Sequence, residues 1–261
     1  MTTPNPATTG LSAPAPGAAP PVRRILAQAG FEIRVLLRNG EQLLISLILP
    51  ALVLVALARL ELGDLGPGAR IDVVAPGVLA MTMMSLAFTS QAIGTGFDRR
   101  NGVLRLLSTT PLGRGGLLAG KMLAVLGLGA AQIGVLAALA LALGWRPDAA
   151  GIPAAVLLLA LGAAAFVALA LVVAGSMRAE AVIAVANLVW VMLLAGGAVL
   201  VPTETLPGPL AALAPLLPSG ALGEGLRVAL GSGVLDLGAV GVLVAWTAVL
   251  GFGVRRTFRW E

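Results

Sequence analysis

Residues 97–121, FDRRNGVLRLLSTTPLGRGGLLAGK, form a polar, arginine-bearing stretch between two long apolar runs. We call residues 97–121 the polar segment. Its first half follows a helical period, in which Arg105 points away from an apolar face. That face consists of Val103, Leu106 and Leu107. Pro111 disfavours helical geometry at Thr110, so the helix should end there. A short amphipathic helix held between two membrane spans is typical of a docking element.

The composition places the chain among membrane proteins. Of its 261 residues, 58% are apolar and only 11% are charged, whereas soluble domains carry about 25% charged residues. Several apolar runs reach the 18 or more residues that a transmembrane helix needs. The 17 Lys and Arg residues are spread between these runs instead of forming one basic patch. We therefore expect an all-α polytopic membrane protein that binds the lipid bilayer and no nucleic acid.

The apolar runs predict six spans, a surface helix and one irregular region. Residues 1–21 lack charged side chains and predict a disordered cytoplasmic tail. Residues 22–39 place several cations beside an apolar stripe, which favours an amphipathic interfacial helix over a simple extension of the first span. Residues 202–236 contain five prolines and predict a broken re-entrant or external helix pair. The expected spans are residues 43–60, 74–96, 117–143, 153–175, 181–201 and 237–254.

The distribution of positive charge predicts the orientation. Six spans put both termini on one side, together with the polar segment and the short connection at residues 176–180. This arrangement leaves all but four of the 17 Lys and Arg residues on the same side. The four exceptions are Arg59, Arg70, Arg146 and Arg227. By the positive-inside rule both termini should be cytoplasmic, in a multi-pass protein of the plasma (inner) membrane.

One apparent nucleotide motif is better explained by packing. Residues 115–121, GGLLAGK, match part of a phosphate-binding loop, but Met122 stands where that loop requires Ser or Thr. No strand precedes the motif and an apolar run follows it. The glycines instead suit close helix packing, and Lys121 is expected to extend to the membrane surface. The chain therefore shows no ATP-hydrolysing site of its own.

Catalytic and ion-coupling patterns are weak. The chain contains no histidine and no cysteine, which removes imidazole and thiolate metal ligands and the commonest general base. We predict no catalytic residues, no metal site and no cofactor bound by this chain. The predicted spans also hold essentially no ionisable residue away from their ends, so they lack the usual signature of an intramembrane proton relay. A membrane-embedded enzyme would need several separate acids in one pocket: Asp72, Asp148, Glu204 and Glu224.

The stretch 98–112, DRRNGVLRLLSTTPL, resembles the signature of type-2 ATP-binding-cassette (ABC-2) exporter permeases. That signature has an acidic–basic pair, a glycine, an amphipathic turn and a Thr-Pro-Leu exit, followed by Gly-Lys at the start of the third span. Asp98 stands where the family often has Glu. Residues 206–227 also look like the external helices between spans five and six of that family. The resemblance covers residues 22–261 and implies that they form one transmembrane domain.

The resemblance implies a permease that works with a second permease, as a homo- or heterodimer, and with cytoplasmic ABC ATPase subunits. ATP and Mg²⁺ would then be bound by the partner ATPase. The stretch at about residues 98–110 would be the coupling helix, seated in a groove of the ATPase. Its leucines would serve as apolar anchors and its arginines as charged contacts, or the arginines would only enforce topology. The docking set is Asp98, Arg99, Arg100, Gly102, Leu104, Arg105, Leu106, Leu107, Thr110 and Pro111.

Two further pairs are candidates outside the polar segment. Glu224 and Arg227 share a helix face at i,i+3 spacing, and they form either an external gate or an ordinary surface ion pair. Asn187 and Trp190 lie in the fifth span, where polar groups are substrate contacts or join neighbouring helices.

We interpret the chain as the permease subunit of an ATP-driven bacterial exporter of a hydrophobic or amphipathic substrate, such as a lipid, a drug or a polyketide-like molecule. The alternative is an ATP-independent protein, either a secondary carrier or a membrane assembly subunit.

Overall fold

The protein is seen in a computed structural model that describes residues 17–38, 40–60 and 69–257. These residues form helices and connecting turns, with no strand among them. Residues 1–16, which make up most of the predicted tail, lie outside the described residues. The helices are α1 (Pro21–Arg38), α2 (Gly40–Arg59), α3 (Arg70–Met84), α4 (Gln91–Arg100), α5 (Val103–Ser108), α6 (Gly113–Ala142), α7 (Ile152–Ser176), α8 (Ala179–Gly196), α9 (Gly208–Leu213), α10 (Pro218–Ser232) and α11 (Leu237–Thr257).

Five helical stretches of the described chain are long and apolar enough to cross a membrane. They correspond to the second through sixth predicted spans. The first predicted span coincides with α2, whose apolar part, Ser46–Arg59, is shorter, and Pro50 lies inside this helix. The five stretches are Arg70–Arg100, Gly115–Ala142, Ala149–Ser176, Ala179–Gly196 and Leu237–Arg256. The chain is thus a multi-pass membrane protein.

Contacts at the helix ends show that consecutive long helices run in alternating directions. Near one end, Arg99 of α4 donates a hydrogen bond to the carbonyl of Gly175 at the end of α7. Near the other end, the Asp148 amide, just before α7, donates to the Leu230 carbonyl of α10. We call the first end, which includes the polar segment, the basic end, and the second the distal end.

The most deeply buried helix is α3. Every residue from Val74 to Met84 is buried, because α2, α6, α7 and α10 surround it. Helix α3 continues through a π-helical segment, Ser85–Ser90, into α4. The second predicted span, residues 74–96, is therefore longer than expected and reaches Arg100, because the helix carries its charged last turn beyond the apolar core.

The irregular region between α8 and α11 is packed into the protein. Helix α9 is a single short helix, whereas α10 contacts α3, α7, α8 and α11 and has most of its residues buried. The packing is close enough to require glycine. A Cβ atom on Gly220 would lie 1.9 Å from the Ala214 carbonyl oxygen. The two predicted helices are thus present, and the second is an integral part of the core.

Helix α1 matches the predicted amphipathic helix in extent, but its packed face overlaps only one edge of its apolar stripe. It lies along α6 with Gln28, Ala29 and Glu32 buried. Val22 and Leu26, at the other edge of the stripe, stay exposed. The helix therefore presents one face to protein and an adjacent apolar face outward, where lipid can cover it.

Candidate functional site

The polar segment forms a helix–turn–helix between α4 and α6. Helix α4 ends at Arg100, and Gly102 adopts a left-handed conformation with φ of 76°. This conformation favours glycine, which explains the Asn-Gly pair at the turn. Helix α5 then covers only Val103–Ser108, and the hydroxyl groups of Thr109 and Thr110 donate to carbonyls of its last turn. The predicted coupling helix at residues 98–110 is thus two helical pieces joined by a glycine turn.

The leucines of α5 differ in exposure. Leu106 is 68% exposed, Leu107 is half-buried, and Leu104 is only 1% exposed. Leu104 therefore anchors α5 to the core of the chain, whereas Leu106 is the leucine that α5 exposes most. Arg105 is exposed beside it, as are Gly102, Thr110 and Pro111.

Two arginines of α4 join the polar segment to the connection between α7 and α8. Arg99 donates hydrogen bonds to the carbonyl oxygens of Gly175, at 3.0 Å, and Met177. Arg100 forms an exposed ion pair with Glu180 at 2.7 Å. These contacts bring the two short connections of the basic end together. The side chains of Arg99 and Arg100 line a cavity of about 330 Å³ together with Arg178.

Helix α1 contacts the polar segment just after the end of α5. The guanidinium of Arg24 donates a hydrogen bond to the Pro111 carbonyl oxygen. Leu107 and Thr110 line a cavity of about 340 Å³ together with Arg24 and Gln28 of α1. The interfacial helix and the polar segment thus form one continuous surface at the basic end.

A buried charge cluster lies behind this surface. The Lys121 ammonium is 2.7 Å from Glu32 Oε1 and 3.6 Å from Asp98 Oδ2. Only 1% of the Lys121 side chain is exposed. Gln28 Nε2 donates to the same Glu32 oxygen at 2.9 Å. The expectation that Lys121 extends to the membrane surface is wrong, because two acids from distant parts of the chain hold it inside. Asp98, predicted to face the ATPase, points its carboxylate into this cluster.

At the distal end, Glu224 and Arg227 form the expected pair at 3.0 Å. Arg227 also donates to the carbonyl oxygens of Val199 and Ala198, at 3.0 and 3.2 Å. Ala198 has a positive φ of 49°, which is uncommon for a residue with a side chain. The pair therefore ties α10 to the turn that follows α8. Its role as an external gate stays a prediction.

The polar residues of α8 point in different directions. Trp190 Nε1 donates to Ser85 Oγ at 2.9 Å, in the π-helical segment. Asn187 is exposed on a face with Leu188, Val191 and Met192, which are also exposed. Trp190 thus joins two helices within the chain, and Asn187 lies on an exposed, otherwise apolar face of α8. The structure does not bring Asn187 and Trp190 into one site.

The acids that a membrane-embedded enzyme would need do not assemble. In the described ranges no three acidic, histidine or cysteine side chains cluster as a metal site would require. Asp148 instead accepts a hydrogen bond from the Ala150 amide, and Glu224 is held by Arg227.

Several contacts were not foreseen from the sequence. They are the Glu32–Lys121–Asp98 cluster, the Arg24–Pro111 hydrogen bond and the π-helical segment. One signal was available for the cluster, because Lys121 is the single lysine of the chain and lies eight residues inside α6. A charge so far inside an apolar helix requires a partner.

A family model for an ABC-2 family transporter protein matches residues 70–254. The match extends from the start of α3 to within three residues of the end of α11. It includes the polar segment, the connection between α7 and α8, and the α10 region. Comparison with curated protein sequences gives no match.

Proposed function

Because the chain belongs to the ABC-2 transporter family, we propose that it is the permease subunit of an ATP-driven exporter for a hydrophobic or amphipathic substrate. In this proposal α2 and the five longer helical stretches make six spans, with the basic end and both termini in the cytoplasm of a bacterial cell. A membrane permease of this family is a transport subunit and not itself an ATPase, so ATP and Mg²⁺ would be bound by a partner.

The observation that carries the proposal is the exposed surface of the polar segment. Leu106 stands out from a short helix that Leu104 fixes to the core. A single exposed leucine among cations fits an apolar pocket with an acidic rim, which is the kind of groove that a partner protein uses to seat a hot-spot residue. The proposed ATPase contact therefore consists of Leu106 and Leu107 with Arg105 and, on its α4 side, Arg99 and Arg100.

The apolar character of the exposed helix faces supports the proposal of a hydrophobic or amphipathic substrate. Beyond its first turn, helix α8 exposes Leu188, Val191 and Met192 together with one polar side chain, Asn187. A path between two permeases lined by such faces would accept an apolar or amphipathic molecule in preference to a strongly hydrated one. A lipid, a drug or a polyketide-like compound would satisfy this requirement.

The proposal can be tested by co-purification. The tagged permease should be isolated from its native host in mild detergent and assayed for a co-purifying soluble subunit and for ATP hydrolysis. We expect an ATPase with the unchanged protein and at least a tenfold smaller amount with Leu106→Asp/Leu107→Asp, because carboxylates cannot be desolvated in an apolar pocket without a large cost.

The matched control is Leu210→Asp/Leu213→Asp, which places the same two groups on exposed leucines of α9, remote from the basic end, and should leave ATPase association intact. Absence of any ATPase from the unchanged protein in several detergents would favour the ATP-independent alternative. Full association of the Leu106/Leu107 variant would contradict the docking role of α5.

A further inference from the structure

We propose that Glu32, Lys121 and Asp98 form a clasp that fixes α1 to the base of the polar segment, so that α1, α5 and the first turns of α6 move as one body. The three residues would be positioning residues, since none of them faces the partner. The structural part of this inference is independent of the proposed function, and its transport part rests on it.

The clasp closes the polar segment at its two ends. Asp98 lies one residue after the start of the segment and Lys121 is its last residue. The ion pair between their side chains joins the end of α4 to α6. A displacement of α5 therefore moves the end of α4 and the start of α6 together, because the ion pair joins the two ends of the 22-residue stretch between Asp98 and Lys121.

Glu32 attaches α1 to this ion-paired junction of α4 and α6. It approaches Lys121 more closely than Asp98 does, at 2.7 against 3.6 Å. Gln28, one turn earlier on α1, donates to the same carboxylate. Helices α1 and α6 also pack closely here, since a Cβ atom on Gly120 would lie 2.6 Å from Gln28 Cγ and 3.5 Å from the Ala29 amide nitrogen. This contact adds van der Waals packing to the ion pair that holds α1 against α6.

Burial makes the three charges interdependent. The Lys121 side chain is 1% exposed and the Glu32 side chain is 10% exposed. A buried ammonium without an anion is strongly disfavoured, and the same holds for a buried carboxylate without a cation. Separation of α1 from α6 would leave Glu32 without a cation and Lys121 with only the more distant Asp98 carboxylate, so the electrostatic penalty opposes the motion that would uncouple α1.

A second contact prevents α1 from pivoting about the clasp. Arg24 donates to the Pro111 carbonyl at the exit of α5. Arg24 and Glu32 are eight residues apart, which is about 12 Å along a helix. Two attachments at this separation fix the direction of α1 as well as its position, so α1 follows the polar segment in rotation and in translation.

Hydrogen–deuterium exchange of the permease in lipid nanodiscs tests the structural part. The triple variant Glu32→Gln/Lys121→Met/Asp98→Asn removes all three charges and leaves no buried charge unpaired, so it should fold. We expect amide exchange in α1 to rise at least tenfold, while α7 keeps its protection. The control Arg23→Gln removes an exposed charge from α1 and should leave exchange unchanged. Unchanged protection of α1 in the triple variant would overturn the proposal.

Cross-linking tests whether α1 and α6 stay together during transport. The chain contains no cysteine, so Leu26→Cys and Leu123→Cys can be introduced without other changes. Both residues line an apolar groove between α1 and α6. We expect a bis-methanethiosulfonate cross-link between them to leave ATP hydrolysis by the co-purified complex within twofold of the uncross-linked sample.

Loss of hydrolysis on cross-linking, restored by dithiothreitol, would show that α1 separates from α6 and would overturn the proposal. Leu26→Cys alone, treated with the same reagent, controls for the effect of attaching the reagent to one cysteine without a cross-link. Failure of the proposed function is distinguishable, because no ATPase would then accompany the unchanged protein, whereas the exchange experiment needs none.

Discussion

Arg227 performs a structural task at the distal end that goes beyond its pairing with Glu224. Its guanidinium donates to one carboxylate and to two carbonyl oxygens of the turn after α8. Only 9% of the side chain is exposed, so hydrogen bonds lost there are not fully replaced by water. The turn it holds contains Ala198, which has a positive φ. Arg227 therefore stabilises a backbone conformation that the residue at that position does not favour.

Replacement of this residue should lower stability. We expect Arg227→Met to reduce the free energy of unfolding by roughly 2–3 kcal/mol, since hydrogen bonds to a charged group are lost and Glu224 is left without its cation. Thermal unfolding in detergent measures the change. The control Arg146→Met removes an exposed arginine near the same end and should leave the transition temperature nearly unaltered. Equal shifts in both variants would contradict the role given to Arg227.

Helix α10 shows how an element that looks peripheral in the sequence becomes part of the core. Its small residues let it approach α3, α7 and α11 closely. Small residues permit such packing between membrane helices, where the hydrophobic effect contributes little. The prolines around it interrupt the helical periodicity and predict a broken re-entrant or external helix pair, but they do not reveal what the intervening helix packs against.

Two glycines of α10 provide a matched comparison. A methyl group on Gly220 would collide with the Ala214 carbonyl oxygen, whereas nothing lies within 4 Å of a Cβ on Gly231. We expect Gly220→Ala to destabilise the protein by about 1–3 kcal/mol through overpacking. Gly231→Ala should be neutral or slightly stabilising, because alanine is the better helix former. Thermal unfolding of the two variants in the same detergent checks this, and a smaller effect at Gly220 than at Gly231 would contradict the packing.

Across the complete chain, the charge distribution and the alternating helix directions predict the same orientation. Arg99 and Arg100 meet the end of α7 and the start of α8 at one end of the bundle. Arg227 and the connection before α7 lie at the other end. This separation is what a protein with a basic cytoplasmic side requires.

Single cysteines in the natural cysteine-free chain test the orientation. We expect Ser108→Cys and Ser176→Cys to react with a membrane-impermeant maleimide only after the cells are opened. Ala150→Cys and Thr205→Cys should react in intact spheroplasts, because they lie at the distal end. All four positions are exposed, so reactivity reports the side of the membrane. Labelling of Ser176→Cys from outside would reverse the assignment.

The polar segment could be recognised without coordinates because its determinants are local. Periodicity, the Asn-Gly turn and the Thr-Pro exit act over a few residues, and the length of an apolar run alone predicts a span. The sequence therefore predicts the helical membrane class, most of the spans, the i,i+3 pair Glu224–Arg227 and the resemblance to ABC-2 permeases.

Contacts between residues far apart in the sequence could not be predicted from such local patterns. Glu32 and Lys121 are 89 positions apart, and the sequence gives no measure of the distance between them. Which leucine of α5 is buried, which face of α1 is packed and where α10 lies all depend on neighbouring helices. These features follow from the packing of the assembled bundle, because burial and ion pairing are properties of several elements together, whereas periodicity is a property of one.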